Sequence, residues 1–174
     1  GSDHKKGEKV LQPGHKITPI DIALILSCGK DKIIVNGEPS IRVISTGSEL
    51  IPAGKKIQPH QIRMSNGPSI VAMLNEQNYK NCMHHHIVDD MQIQKMNIKK
   101  YLTQSNILIL SGGISMGKAD FIPKILDELK VECIFYKIKQ RPGKPMWFGV
   151  GPKNQLVFAL PGNPVSAITC CRHY

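Results

Sequence analysis

Asn106-Ile107-Leu108-Ile109-Leu110 runs straight into Ser111-Gly112-Gly113-Ile114-Ser115-Met116-Gly117-Lys118-Ala119-Asp120, and Phe121 to Leu129 follows with helical spacing. An uncharged aliphatic run of that length is the signature of a strand covered on both faces. The glycines that follow let the backbone turn tightly and come close to a ligand. A helix opening after such a turn presents free N–H groups suited to phosphate. A strand, a glycine-rich turn and a helix in that order make one unit of an open α/β sheet, where ligands bind at the carboxyl ends of the strands.

Moving outward, the same alternation recurs. Ile41 to Ser45 is expected to be a strand ending at Thr46-Gly47, and residues 66–78 a helix with Ile70, Val71 and Leu74 on one face. Cys82 to Val88 then reads as a strand and residues 90–104 as a helix. Beyond the central unit, strands are expected over Ile134 to Ile138, Met146 to Val150 and Leu156 to Leu160, and Val165 begins a last helix. The pattern predicts an α/β fold with a mostly parallel sheet and helices on both faces.

Upstream the pattern differs. Residues 3–17 read as turns and short strands. Thr18-Pro19-Ile20-Asp21 is a helix start, with Thr as cap, Pro at the first position and Asp in the first turn. Gly29 stops that helix, a short strand is expected at Ile33 to Val35, and Asn36 to Pro39 is a turn. Residues 1–40 are therefore expected to be a strand–helix–strand piece of an adjoining domain, and residues 41–174 the α/β domain. Gly1-Ser2 resembles a protease scar, and the chain ends at Tyr174 inside a helical pattern. Both suggest a fragment of a longer protein.

Composition narrows the function. The 174 residues are 41% hydrophobic, 21% charged and only 5% aromatic, so an aliphatic core is expected. No apolar run approaches the length that spans a membrane. The net charge of +10 attracts anions, but the basic residues are scattered without interleaved aromatics, which argues against a nucleic-acid surface. Cysteines 28, 82, 133, 170 and 171 form no C-x-x-C pair and are expected as reduced, buried thiols.

Other segments share the chemistry of the central turn. Leu160-Pro161-Gly162-Asn163-Pro164-Val165-Ser166 also runs from strand to helix; Gly162 there permits an unusual backbone angle, and the alternative is a tight turn capped by Asn163 or Ser166. Arg141-Pro142-Gly143-Lys144-Pro145 holds two cations on a stiff loop, suited to a small, highly charged anion, and the alternative, which the loop by itself favours, is an exposed basic turn. Glu49, after Thr46-Gly47-Ser48, is either a site carboxylate or a helix or turn cap. Asp89-Asp90 is either a divalent-metal pair or a helix cap. Asp120 either supports a metal or caps the helix that follows. His84 and His86 share a strand face, but two ligands are too few for a closed metal site.

Together these segments resemble the molybdopterin molybdotransferase family, of the bacterial MoeA and gephyrin E-domain type. That family shows T-G-D-E-L, S-G-G-[VI]-S-x-G-x-x-D, K-P-G-K-P and L-P-G-N-P-V-S in order. Here they stand at Thr46 to Leu50, Ser111 to Asp120, Arg141 to Pro145 and Leu160 to Ser166. The resemblance implies a three-layer α/β/α molybdopterin-binding fold. It implies that adenylylated molybdopterin is hydrolysed and molybdate inserted into its dithiolene with the help of Mg2+. The catalytic residues implied are Asp120, Glu49, Asp89 and Lys144, with Asp120 and Glu49 as metal ligands. The substrate residues implied are Ser111, Gly112, Gly113, Ser115, Gly117, Arg141, Pro145, Pro161, Gly162, Asn163, Pro164 and Ser166. It further implies a cytoplasmic homodimer that receives its pterin from a molybdopterin adenylyltransferase, with no nucleic-acid or membrane partner. Ser48 replaces the family's Asp, and Arg141 its Lys. A C-terminal domain carrying part of the molybdate site is expected to be missing. The alternatives are the related adenylyltransferase domain and a gephyrin-like scaffold.

Overall fold

The computed structural model describes residues 4–114 and 121–174. The chain divides into two compact units, residues 1–37 and 38–174.

The first unit holds helix α1 (Pro19–Ser27). Thr18 caps it in a capping box: the Thr18 side chain accepts from the Asp21 backbone N–H, and Asp21 Oδ2 accepts from the Thr18 N–H at 2.8 Å. The Thr18 hydroxyl, donating to Asp21 Oδ2 at 2.6 Å, and then the His15 ring and the Thr18 N–H lower the pKa of the Asp21 carboxyl to about 2. No residue of α1 is buried. The strand expected at Ile33 to Val35 does not form, nor do any among residues 4–17. A β-prone run needs a neighbouring strand to complete its hydrogen bonds, and Ile34 is 102% exposed.

The second unit runs β1 (Ile41–Thr46), β2 (Leu50–Ile51), β3 (Ile62–Arg63), α2 (Asn66–Glu76), β4 (Cys82–Ile87), α3 (Met91–Gln104), β5 (Ile107–Ser111), α4 (Ile122–Glu128), β6 (Glu132–Tyr136), β7 (Trp147–Val150), β8 (Leu156–Leu160) and α5 (Pro164–His173). The main sheet has the order β4-β1-β5-β8-β7-β6. Its first four strands are parallel, and β7 runs antiparallel to its neighbours β8 and β6. β2 and β3 form a separate two-residue parallel ladder that lies below the length a sequence pattern can reveal.

Alternation along the central strands explains the three layers. Ile41 and Val43 of β1 and Ile109 of β5 face one way, packing with Ile70 of α2 and Ala167 and Cys170 of α5. Ile44, Leu108 and Leu110 face the other way, against Ile98 and Leu102 of α3 and Ile122, Ile125 and Leu126 of α4. The unit is thus the three-layer α/β/α fold expected, with a mixed sheet. The cysteines depart from expectation: all five are free, but only Cys170 is buried, while Cys28 and Cys133 are exposed. Cys133 lies on β6, at the sheet's edge. Among the described residues no helix is long and apolar enough to cross a membrane.

Candidate functional site

The parallel strands β1, β5, β8 and β4 end together, with Thr46 paired to Ile87, Ser45 to Ser111 and Ser111 to Leu160. At that end lies an open cleft of about 280 Å³. Its described lining includes Glu49, Asp89, Ser111, Gly112, Gly113, Gly162 and Pro164 from the segments expected to matter, together with Ser45, Thr46, Arg63, Ser65 and Asn66.

The floor is built by close backbone approach. Gly112 has φ +101° and Gly113 φ +67°. A Cβ on Gly112 would stand 2.7 Å from the carbonyl oxygen of Thr46, and one on Gly113 2.7 Å from Cγ1 of Ile122. The Gly112 N–H donates to the Leu160 carbonyl at 3.2 Å, tying the loop after β5 to the end of β8. Glycine is thus required here by conformation and by space.

Glu49 is carried on the loop after β1. Its carboxylate folds back over Gly47, where a Cβ would meet Oε2 at 2.7 Å and where φ is +147°. The Gly47 carbonyl accepts from Nε2 of His86 at 2.7 Å, so that ring nitrogen carries its proton. Asp89 braces the same loop. Its Oδ2 accepts from the Ser48 N–H at 2.9 Å, its N–H donates to Ser48 Oγ at 2.9 Å, and its Oδ1 accepts from Gln94 Nε2 at 3.3 Å. A serine at position 48 therefore forms a reciprocal pair with Asp89, where an aspartate would set two carboxylates against each other. Asp90 is the cap of α3, accepting from the Ile93 N–H at 2.8 Å.

The other motifs are arranged differently. Asn163 caps α5, accepting from the Ser166 N–H at 3.2 Å and the Ser166 hydroxyl at 3.4 Å. Gly162 has no positive φ, and a Cβ there would meet only the Gly112 Cα at 3.8 Å, so the unusual backbone angle expected of it is absent. Its neighbours Pro161 and Asn163 are not part of the described lining. Arg141, Lys144 and Pro145 lie on the β6–β7 connection and also stay outside that lining. Because Trp147 pairs with Ala159, this loop nevertheless sits at the same end of the sheet, beyond β8. Arg141 and Lys144 are exposed. Ser115, Gly117 and Asp120 lie outside the described residues.

Among the described residues no three His, Cys, Asp or Glu side chains gather as metal ligands. The histidine run is occupied structurally: His84 Nε2 is hydrogen-bonded to Ser45 Oγ at 3.0 Å, and His85 stacks on Tyr101 at 4.3 Å. Burial, then the charges of His85 and His86, holds His84 below the ordinary imidazole range.

Asn66 carries no motif signature, yet its Nδ2 donates to Ser111 Oγ and to the Gly162 carbonyl, both at 2.9 Å. The only sequence hint is the polar pair Ser65-Asn66 opening a helix.

Residues 42–174 match the family model described as a probable molybdopterin binding domain. The chain belongs to this family. It is 34% identical over 174 residues to the molybdopterin molybdenumtransferase of Synechocystis, a match covering 99% of this chain and 45% of that protein. It is also 34% identical to the molybdopterin molybdenumtransferase of Synechococcus elongatus, covering 95% of this chain and 42% of that one. The crystal structure of the molybdopterin biosynthesis protein moea from Pyrococcus horikosii superposes with a TM-score of 0.70 at 32% identity, over 90% of this chain and 38% of that one. The chain thus spans under half the length of the relatives it matches.

Proposed function

We propose that this chain is the pterin-gripping part of a molybdopterin molybdotransferase, acting in molybdenum cofactor biosynthesis on adenylylated molybdopterin and molybdate. The observation that carries this reading is the cleft at the strand ends, where Glu49, Asp89, Ser111 to Gly113 and Gly162 converge. In this reading the hydroxyls of Ser65 and Ser111, which line the cleft, donate to an anionic ligand. Relatives of similar sequence carry the molybdenumtransferase name.

In this proposal the loop from Ser111 through Ser115 to Gly117 and the loop from Pro161 through Asn163 and Pro164 to Ser166 cradle the pterin phosphate. Glu49 and Asp120 are the catalytic carboxylates, with Asp89 holding the Glu49 loop through Ser48. Lys144 and Arg141, with Pro145 stiffening their loop, hold the molybdate oxyanion from beyond β8. The described residues alone do not complete a Mg2+ site, so the proposed ion rests on Glu49 and Asp120, and would supply electrostatic stabilisation of the phosphate. Residues 1–40 are proposed to belong to an adjoining domain. The whole protein is proposed to be a cytoplasmic homodimer supplied by a molybdopterin adenylyltransferase.

The test is a titration of residues 1–174 with molybdopterin and its adenylylated form, alongside an assay for molybdate insertion. Binding of the adenylylated pterin with negligible insertion is expected, because misplacing an oxyanion by about 1 Å costs roughly 100-fold in rate. Absence of pterin binding would remove the reading. Full insertion would show that the oxyanion site is complete within these residues.

A further inference from the structure

We propose that Asn66 is the positioning residue that sets the two glycine-bearing loops in register for the pterin's phosphate. This rests on the pterin reading above. Asn66 is half-buried at the first position of α2. A side-chain amide nitrogen has two protons to give, and both are used: one for Ser111 Oγ and one for the Gly162 carbonyl. The carbonyl can only accept, so it settles which end of the amide faces the loops. The partners lie 45 and 96 residues away in the chain: Ser111 ends β5, where its loop begins, and Gly162 lies on the loop after β8.

The clasp has a fixed base. Gly67 presses the first turn of α2 onto the sheet, where a Cβ would lie 2.1 Å from His84 Nε2 and 2.7 Å from Ser45 Oγ. Ser45 and His84 are bonded to each other and sit on adjacent paired strands. Asn66 therefore reaches the loops after β5 and β8 from a helix start seated on β1 and β4.

The chemistry of the two bonds favours an anion. Carbonyl oxygens repel phosphate, and Asn66 occupies the Gly162 carbonyl at the cleft wall. Ser111 Oγ accepts from Asn66, which leaves its own O–H proton for a ligand oxygen. One side chain thus engages one carbonyl acceptor in the cleft lining and leaves one hydroxyl proton free to donate.

The test compares the wild-type chain with Asn66→Ala and Asn66→Asp, the second being isosteric but without an N–H to donate. Amide hydrogen exchange is followed over residues 111–114 and 161–163. Affinity is measured for molybdopterin and for its dephosphorylated form, at a temperature where every variant is folded. Both variants are expected to raise exchange in both loops. Both should weaken molybdopterin binding roughly 10-fold, Asp more than Ala, and leave the dephosphorylated pterin within about 2-fold. Unchanged loop exchange overturns the clasp. Equal losses for the two ligands overturn the positioning role, since a merely structural defect would not distinguish them. A wild-type chain that binds neither ligand overturns the pterin reading and this proposal with it, while the exchange data still report whether the clasp exists.

Discussion

The loops after β5 and β8 look alike as sequence: each follows an apolar strand, carries glycine and leads to a helix. Their construction is opposite. Gly112 and Gly113 adopt conformations that side chains avoid and press against Thr46 and Ile122. Gly162 adopts an ordinary conformation beside open space, and its loop is stiffened instead by Pro161, Pro164 and the Asn163 cap. The first loop gets its shape from lacking side chains, the second from side chains that restrict it. What they share is Asn66, which touches both. A glycine in a motif therefore has two separable meanings, backbone conformation and clearance for a ligand.

The comparison breaks first at Gly112. Gly112→Ala forces a side chain into a positive-φ position, at about 1–3 kcal/mol for the backbone alone, and also displaces the Thr46 carbonyl. A fall in Tm of several degrees is expected, at roughly 2–4 °C per kcal/mol for a chain of this size. Denaturant unfolding checks it, and a wild-type midpoint would mean that the loop holds its shape without glycine.

Asn163→Ala tests the second loop's own device. Loss of an N-cap costs about 1 kcal/mol, within a range of roughly 0.5–2. The same unfolding experiment should show a smaller shift than at Gly112, and Asn163→Asp should recover most of it.

A pH response probes the base beneath both loops. Burial and neighbouring positive charge hold His84 and His85 below the ordinary range. The unfolded chain protonates these rings near pH 6.5, whereas the folded chain resists. Below that pH the unfolded state binds more protons, so stability falls on acidification from about pH 7.5 to 5.5. His84→Gln is expected to flatten that slope. An unaltered slope would place the acid sensitivity elsewhere.

The smallest effect belongs to Gly162. Gly162→Ala should change stability by no more than about 0.5 kcal/mol, because its Cβ meets nothing within van der Waals distance but the Gly112 Cα. Any loss it does produce should appear in ligand affinity. A large stability loss would erase the contrast between the loops.

Legibility in the sequence followed the range of the forces. The Thr18 cap was readable, and a cap at Asp89-Asp90 was one of the two readings open, because donor and acceptor lie within three residues. The central strands were readable because burial on both faces leaves an uninterrupted aliphatic run. Ile33 to Val35 misled because strand propensity is expressed only where a partner strand is available. β2 and β3 escaped because two residues carry no periodicity.

By itself, the sequence determined the α/β alternation, the two strand-to-helix turns at Gly112 and Gly162, and the family, since these rest on local backbone preference and ordered motifs. Only the tertiary structure decided which motif residues share a cleft, that Lys144 stands beyond β8 rather than in the described lining, and that Asn66 joins the loops. Those facts depend on strand order and on contacts between residues 45 and 96 positions apart. No local pattern encodes them, because chain separation says nothing about which strand ends meet.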